Sequence, residues 1–113
     1  MSIQSELDLV KEKMNNQCYL VAKEISLIPS GYLATYGLIA NIVNQKYNLN
    51  INARNAAHYR KKLYWLLSHD AEIPLHRVAS QGDVRSEKDS EETRTKNNKL
   101  REEEGSLNNP LWL

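Results

Sequence analysis

Ile3, Leu7, Val10, Met14, Cys18, Val21, Ile25 and Ile28 follow one another at intervals of three or four residues. An α-helix completes a turn every 3.6 residues, so this spacing gathers all eight side chains into one stripe. Such a stripe has to be buried, and it predicts a single continuous helix stopped at Pro29. The stripe faces either the core of the chain itself or, because the spacing is also heptad-like, a partner helix.

The rest of the chain is short. Its 113 residues, 41% apolar and 26% charged, fit one small globular domain. No run approaches the roughly 18 apolar residues of a membrane span. The early Glu6 and Asp8 exclude a secretory signal, so a soluble intracellular protein is expected, monomeric and not associated with membranes. The single cysteine, Cys18, forbids an internal disulfide and fits a reducing compartment. His58, His69, His76 and Cys18 show no ligand spacing, so neither a metal nor a cofactor is expected. The formal charge of +1 is unevenly placed. It divides into −1 over residues 1–28, +4 over 29–82 and −2 over 83–113. A basic surface confined to the middle of the chain suits a phosphate-binding face.

Pro29-Ser30-Gly31 reads as a turn, and Thr35 as the N-cap of a second helix carrying Leu38, Ile39, Ile42 and Val43. The polar, asparagine-rich stretch from Tyr47 to Asn52 is a connector, with Asn52 capping a third helix from Ala53 to about Ser68. In that helix Ala56, Ala57, Leu63, Leu66 and Leu67 can face the core, while Arg54, His58, Lys61 and Trp65 share another face. Two helices with a short connector, the second basic and free of acidic residues, form a helix-turn-helix pattern. A turn from Asp70 to Pro74 follows, then another at Gln81-Gly82 with short extended pieces such as a wing. Asp89 to Glu104 is a charged helix with one large apolar residue, Leu100, ended by Gly105. It is marginal by itself and must lean on the rest of the domain. The expected fold is mainly α: a helix-turn-helix or winged-helix-like three-helix domain with an N-terminal helix and a charged C-terminal helix. Residues 1–15 form a helical extension, 16–105 the domain, and 106–113 a tail that either packs or hangs free.

Several segments now line up with a known pattern. Ile28-Pro29-Ser30-Gly31 followed by Thr35-Tyr36-Gly37-Leu38-Ile39-Ala40 is similar to the opening of the DNA-binding domain of the alkylguanine-DNA alkyltransferases. Ala53-Arg54-Asn55-Ala56 resembles the start of their recognition helix, and Ile73-Pro74-Leu75-His76-Arg77-Val78 their isoleucine-proline-cysteine-histidine-arginine-valine segment. Ser80-Gln81-Gly82 and Glu104-Gly105 also find counterparts, so the likeness runs in order over about residues 16–105. Leu75 stands where those enzymes keep the cysteine that takes up the alkyl group. Such a displacement needs a soft nucleophile poised by a base, and a leucine side chain has no lone pair. The alkyltransferase-like proteins have lost the cysteine in the same way, most often to tryptophan. The spacing from Arg54 to Pro74 is about one helical turn longer than in the family, and its glycine-rich loop is here Arg85-Ser86-Glu87-Lys88.

The resemblance implies a non-enzymatic protein that binds double-stranded DNA through the minor groove. It would flip an O6-alkylguanine and flag it for repair, with nucleotide excision repair proteins as partners. The place of work would be the nucleoid or the nucleus. By the same resemblance, Tyr36 crowds the phosphate of the target nucleotide and Arg54 fills the gap left by the flipped base. Pro74, Leu75 and His76 line the lesion pocket with Tyr36, while Arg77 and Glu104 are structural, Glu104 being a partner for His76. Arg60, Lys61 and Lys62 either meet phosphates or form a solvated face. Ala56 and Ala57, with His58 nearby, let the helix approach DNA closely or pack against the second helix. Two other readings stay open: a residual transferase using Cys18, and a divergent helix-turn-helix module acting on undamaged DNA or on a protein.

Overall fold

The N-terminal stripe is carried by two helices rather than one. In a computed structural model, described over residues 2–68, 71–80 and 90–113, α1 spans Ile3–Lys13 and α2 spans Asn16–Ile25. The break lies at Met14 and Asn15, both in extended conformation, and Asn15 Oδ1 accepts the Cys18 N–H at 2.8 Å. An asparagine side chain competes with the backbone for helical N–H groups, so Asn15 starts a new helix instead of continuing the old one. Residues on both sides still reach one core: Leu7, Val10, Cys18, Val21, Ile25 and Ile28 are all buried together. Their partner is the chain itself.

The caps read from sequence are in place. Thr35 Oγ1 accepts the Leu38 N–H at 3.0 Å and starts α3 (Tyr36–Tyr47). Asn52 and Asn55 exchange side-chain and backbone hydrogen bonds, both at 2.9 Å, in a capping box that starts α4 (Ala53–Leu67). Between the two helices, Asn48 adopts the left-handed conformation that asparagine tolerates, and Asn44 binds both the N–H and the C=O of Ile51. Asn44 and Asn52, at the two ends of the connector, each satisfy a specific piece of backbone. α3 and α4 pack on each other and on α2, making the helix-turn-helix pair.

A small sheet ties the remaining pieces to this bundle. β1 (Tyr32–Thr35) runs between β2 (Val78–Ala79) and β3 (Leu111–Trp112), parallel to both, with Ala34 opposite Val78 and Leu33 opposite Trp112. Residues 111–113 therefore do not hang free: Leu113 also donates its N–H to Leu33 O at 2.8 Å. β1 enters from a turn closed by Tyr32 N–H on Pro29 O at 3.2 Å, with Gly31 at φ +90°. That left-handed third position of a type II turn is why glycine stands there.

α5 (Glu91–Glu103) is the charged helix, ended by Gly105 at φ +79° with Ser106 N–H reaching back to Arg101 O at 2.8 Å. Its buried residues are Thr93, Asn97 and Arg101, four residues apart and all polar. It leans on the domain as expected, but through hydrogen bonds rather than an apolar stripe. The Gln81-Gly82 turn, the wing expected beside it, the loop Arg85-Ser86-Glu87-Lys88, His69 and Asp70 lie outside the described residues. No described helix is long and apolar enough to cross a membrane.

Candidate nucleic-acid interface

α4 divides by face. Arg54, Asn55, His58, Lys61, Lys62 and Trp65 are exposed, and the helix has no acidic side chain to offset its cations. Ala57 is half-buried at the border. Ala56, read either as a point of close approach to DNA or as packing against the second helix, is buried in the core on the same face as Leu63. Its small size serves helix packing.

Arg60 is the larger correction. Expected with Lys61 and Lys62 either at phosphates or on a solvated face, it is 2% exposed. Its Nε donates to Leu75 O at 2.8 Å, Nη1 to the Tyr36 hydroxyl at 2.6 Å and Nη2 to the Tyr64 hydroxyl at 3.1 Å. The guanidinium also lies against both tyrosine rings, 5.7 Å from the Tyr36 centroid and 4.9 Å from that of Tyr64. A signal for this was present in sequence: Ala56, Arg60 and Leu63 follow the four-then-three spacing of a core face. Charge suggested the surface, and spacing placed it inside.

The segment from Leu75 to Val78 is held by arginines. A short 3-10 turn spans Leu75–Arg77, and Leu75 is 2% exposed. Arg60 holds Leu75 O, while Arg101, 0% exposed, donates to His76 O at 2.7 Å and Val78 O at 3.3 Å. Arg77 donates to Ile28 O at 2.7 Å and to both Glu104 oxygens at 3.0 and 2.7 Å. A guanidinium spreads five donors over a fixed plane and can reach carbonyls that lie apart, where a lysine has three donors on one nitrogen. From the other side Glu6, 4% exposed, accepts the N–H groups of Glu72 at 2.9 Å and Ile73 at 2.8 Å. Neither Glu6 nor Arg101 carried any sequence signal for these roles, since their partners are backbone groups at least 23 residues away.

His76 and Glu104 are brought together, Nε2 lying 2.9 Å from a Glu104 oxygen. Burial pushes the His76 pKa below its ordinary 6.5, outweighing the raising effect of Glu104. Burial alone would raise the Glu104 carboxyl, but hydrogen bonds from Arg77 and then His76 outweigh it and hold Glu104 below its ordinary 4.5. At neutral pH the pair is therefore a neutral imidazole donating Nε2–H to a carboxylate. Cys18 is different chemistry. Burial pushes its thiol up to about 11, although the Lys62 charge acts the other way.

Of the four residues expected to line one pocket, Leu75 and His76 line a common cavity, and Tyr36 and Pro74 are not in its lining. The cavity is partly open and shared with Tyr64, Ser68, Ala71, Ile73, Asn97 and Leu100, with about 10 Å³ of free space. That is room for about one water molecule, not for a base. Asn97, in its lining, keeps Nδ2 without a hydrogen-bond partner. Tyr36 meets this region through Arg60, and Pro74 is buried in the turn before Leu75. Arg54 stands apart on the exposed first turn of α4. Among the described residues no group of three or more His, Cys, Asp or Glu side chains is arranged to hold a metal ion.

Comparison with known proteins gives one informative likeness. No family model and no curated protein matches the chain. The crystal structure of S. pombe Atl1, in complex with damaged DNA containing O6-carboxymethylguanine, is similar to it, with 28% sequence identity and a TM-score of 0.65. The match covers 82% of this chain and 79% of that one. With its helix-turn-helix pair, buried Leu75 turn and His76–Glu104 contact, the chain has the alkyltransferase-like DNA-binding fold that its motifs resemble.

Proposed function

We propose that this protein binds duplex DNA containing O6-alkylguanine without removing the alkyl group. The observation that carries the reading is Leu75, a hydrocarbon side chain at the position where the resemblance sets the nucleophile, within a fold shared with a protein bound to damaged DNA. Transfer would require a sulfur to attack the alkyl carbon. Leu75 has none, and Cys18 is buried with a thiol that stays protonated at neutral pH. His76 lies beside Leu75 with Nε2 engaged by Glu104, so its role is to fix the turn rather than to activate anything.

In this reading α4 enters the minor groove with Arg54 leading. A planar guanidinium there can stack in the gap left by a flipped base and donate hydrogen bonds at once. Tyr36 presses on the phosphate of the target nucleotide, its phenol held by Arg60. Lys61 and Lys62 meet phosphates, His58 lies between them and Arg54, and Ala57 permits close approach. Leu75 and Pro74 supply apolar surface toward the alkyl group, with His76 beside them. Since the cavity at Leu75 is only about 10 Å³, lesion entry there requires the lining side chains to move. A damaged base costs less to unstack, which adds to selectivity. The bound lesion would then be presented to repair proteins, nucleotide excision repair being the class implied.

The test compares affinity for a duplex bearing one O6-methylguanine with that for the undamaged duplex at the same salt. Tighter binding to the lesion is expected, by roughly ten- to two-hundredfold, the range that one methyl in an apolar pocket supports. Arg54→Ala and Tyr36→Ala should shrink that ratio while leaving the melting temperature of Arg54→Ala unchanged. Equal affinities would remove lesion sensing. A gain of one alkyl group by mass spectrometry would show a transferase and overturn the proposal.

A further inference from the structure

Trp65 is 83% exposed, the most exposed of the large hydrophobic side chains among the described residues. An indole left outside offers a large apolar area for a partner to cover. Its position says which partner. Arg54, His58, Lys61 and Trp65 lie at intervals of four, three and four on α4, so they form one nearly straight stripe along the exposed face. Lys61 and Lys62, one turn back, flank the indole with two exposed cations, and α4 has no carboxylate. A protein partner for this face would need a strongly acidic surface. A nucleic acid backbone supplies negative charge at every step, together with flat sugar and base faces on which an indole can lie.

We propose that Trp65 is a DNA contact at the far end of the recognition helix, resting on the sugar-phosphate backbone away from the lesion. The inference builds on the DNA-binding reading above and adds a second anchor to it. Eleven residues separate Arg54 from Trp65, which at about 1.5 Å per residue is roughly 16 Å along the helix. That distance corresponds to about five nucleotide steps at about 3.4 Å each. Arg54 at the lesion and Trp65 at the backbone therefore touch different parts of the duplex. The first governs discrimination. The second strengthens binding to any duplex, because an indole resting on a sugar or base face is indifferent to sequence and to alkylation.

Trp65→Ala should weaken binding about five- to tenfold for both the O6-methylguanine duplex and its undamaged control, leaving their ratio unchanged. Its melting temperature should stay at the wild-type value, since the side chain touches little of the fold. The penalty should disappear on a duplex trimmed to end about three base pairs from the lesion on either side, where Trp65 has nothing to lie on. In a Trp112→Phe background Trp65 is the sole tryptophan, and its emission should be quenched when undamaged duplex is added. Unchanged affinity of Trp65→Ala for every duplex, or unquenched emission at saturation, overturns the contact while leaving lesion binding standing. A penalty equal on long and trimmed duplexes also overturns it, since the effect would not depend on distant DNA. Equal affinity for damaged and undamaged duplex, with the Trp65→Ala penalty still present, removes lesion sensing and keeps this contact. Absence of binding to any duplex ends both.

Discussion

Arg60→Ala is the substitution that most directly separates a structural arginine from a phosphate contact. It removes the donor to Leu75 O and leaves that carbonyl inside the protein, next to a side chain that is itself 2% exposed. An orphaned buried acceptor costs about 1–3 kcal/mol. The Tyr36 and Tyr64 hydroxyls lose charged donors at 2.6 and 3.1 Å, each such hydrogen bond being worth about 1.5–3 kcal/mol before water replaces it. Both tyrosines are half-buried and recover part of this from solvent. The net loss should therefore fall near 3–5 kcal/mol, about the orphaned acceptor plus the part of the two phenol hydrogen bonds that water does not restore. For a chain of this size that lowers the melting temperature by roughly 12–20 °C. Urea unfolding followed by circular dichroism measures it, with Lys61→Ala and Lys62→Ala as neighbours expected within about 0.5 kcal/mol of wild type. Arg60→Lys should recover only part of the loss, because an ammonium cannot span Leu75 O and both phenols. If Arg60→Ala instead cost under about 1 kcal/mol and its main effect were a shallower salt dependence of DNA binding, the buried geometry described here would be wrong.

Two further outcomes follow from the groups around the Leu75 turn. Glu6→Ala should destabilise by about 2–4 kcal/mol, because the N–H groups of Glu72 and Ile73 both lose their acceptor, and Glu6→Gln, which keeps one oxygen, should cost less; equal stability of all three proteins in urea would refute the role. Stability should also fall on acidification in two stages. His76 has a folded pKa below 6.5, so its contribution is present above 6.5 and is lost as the pH falls from there through the lower folded value. Glu104, held below 4.5, contributes above 4.5 and loses that contribution as the pH falls through its own folded value. Thermal midpoints measured against pH should decline in both windows, with Glu104→Gln lacking the lower one; a midpoint that rose below 6.5 would reverse the assigned sign.

The helices on either side of the connector were legible from the sequence because capping is local. Thr35, Asn52 and Gly105 act on backbone groups within a few residues, so their identity and spacing suffice. The single long N-terminal helix was not, since a stripe at intervals of three or four is equally served by two helices folded over one core. Only Asn15 distinguishes the cases. The Tyr36, Arg54 and Leu75 positions came from the likeness of short motifs, which keep their order in the chain whatever the fold does with them.

What the sequence determined by itself, then, was the mainly helical class, the helix-turn-helix pair, the basic exposed face of α4, and a leucine where chemistry would need sulfur. Tertiary structure alone decided what the buried charges hold. Arg60, Arg101 and Glu6 each end on main-chain N–H or C=O groups of the segment around Leu75, contributed by parts of the chain remote from them. Every residue carries those backbone groups, so no pattern of side chains marks which of them a buried arginine or glutamate will reach. The partner of such a charge becomes visible only when the elements have packed.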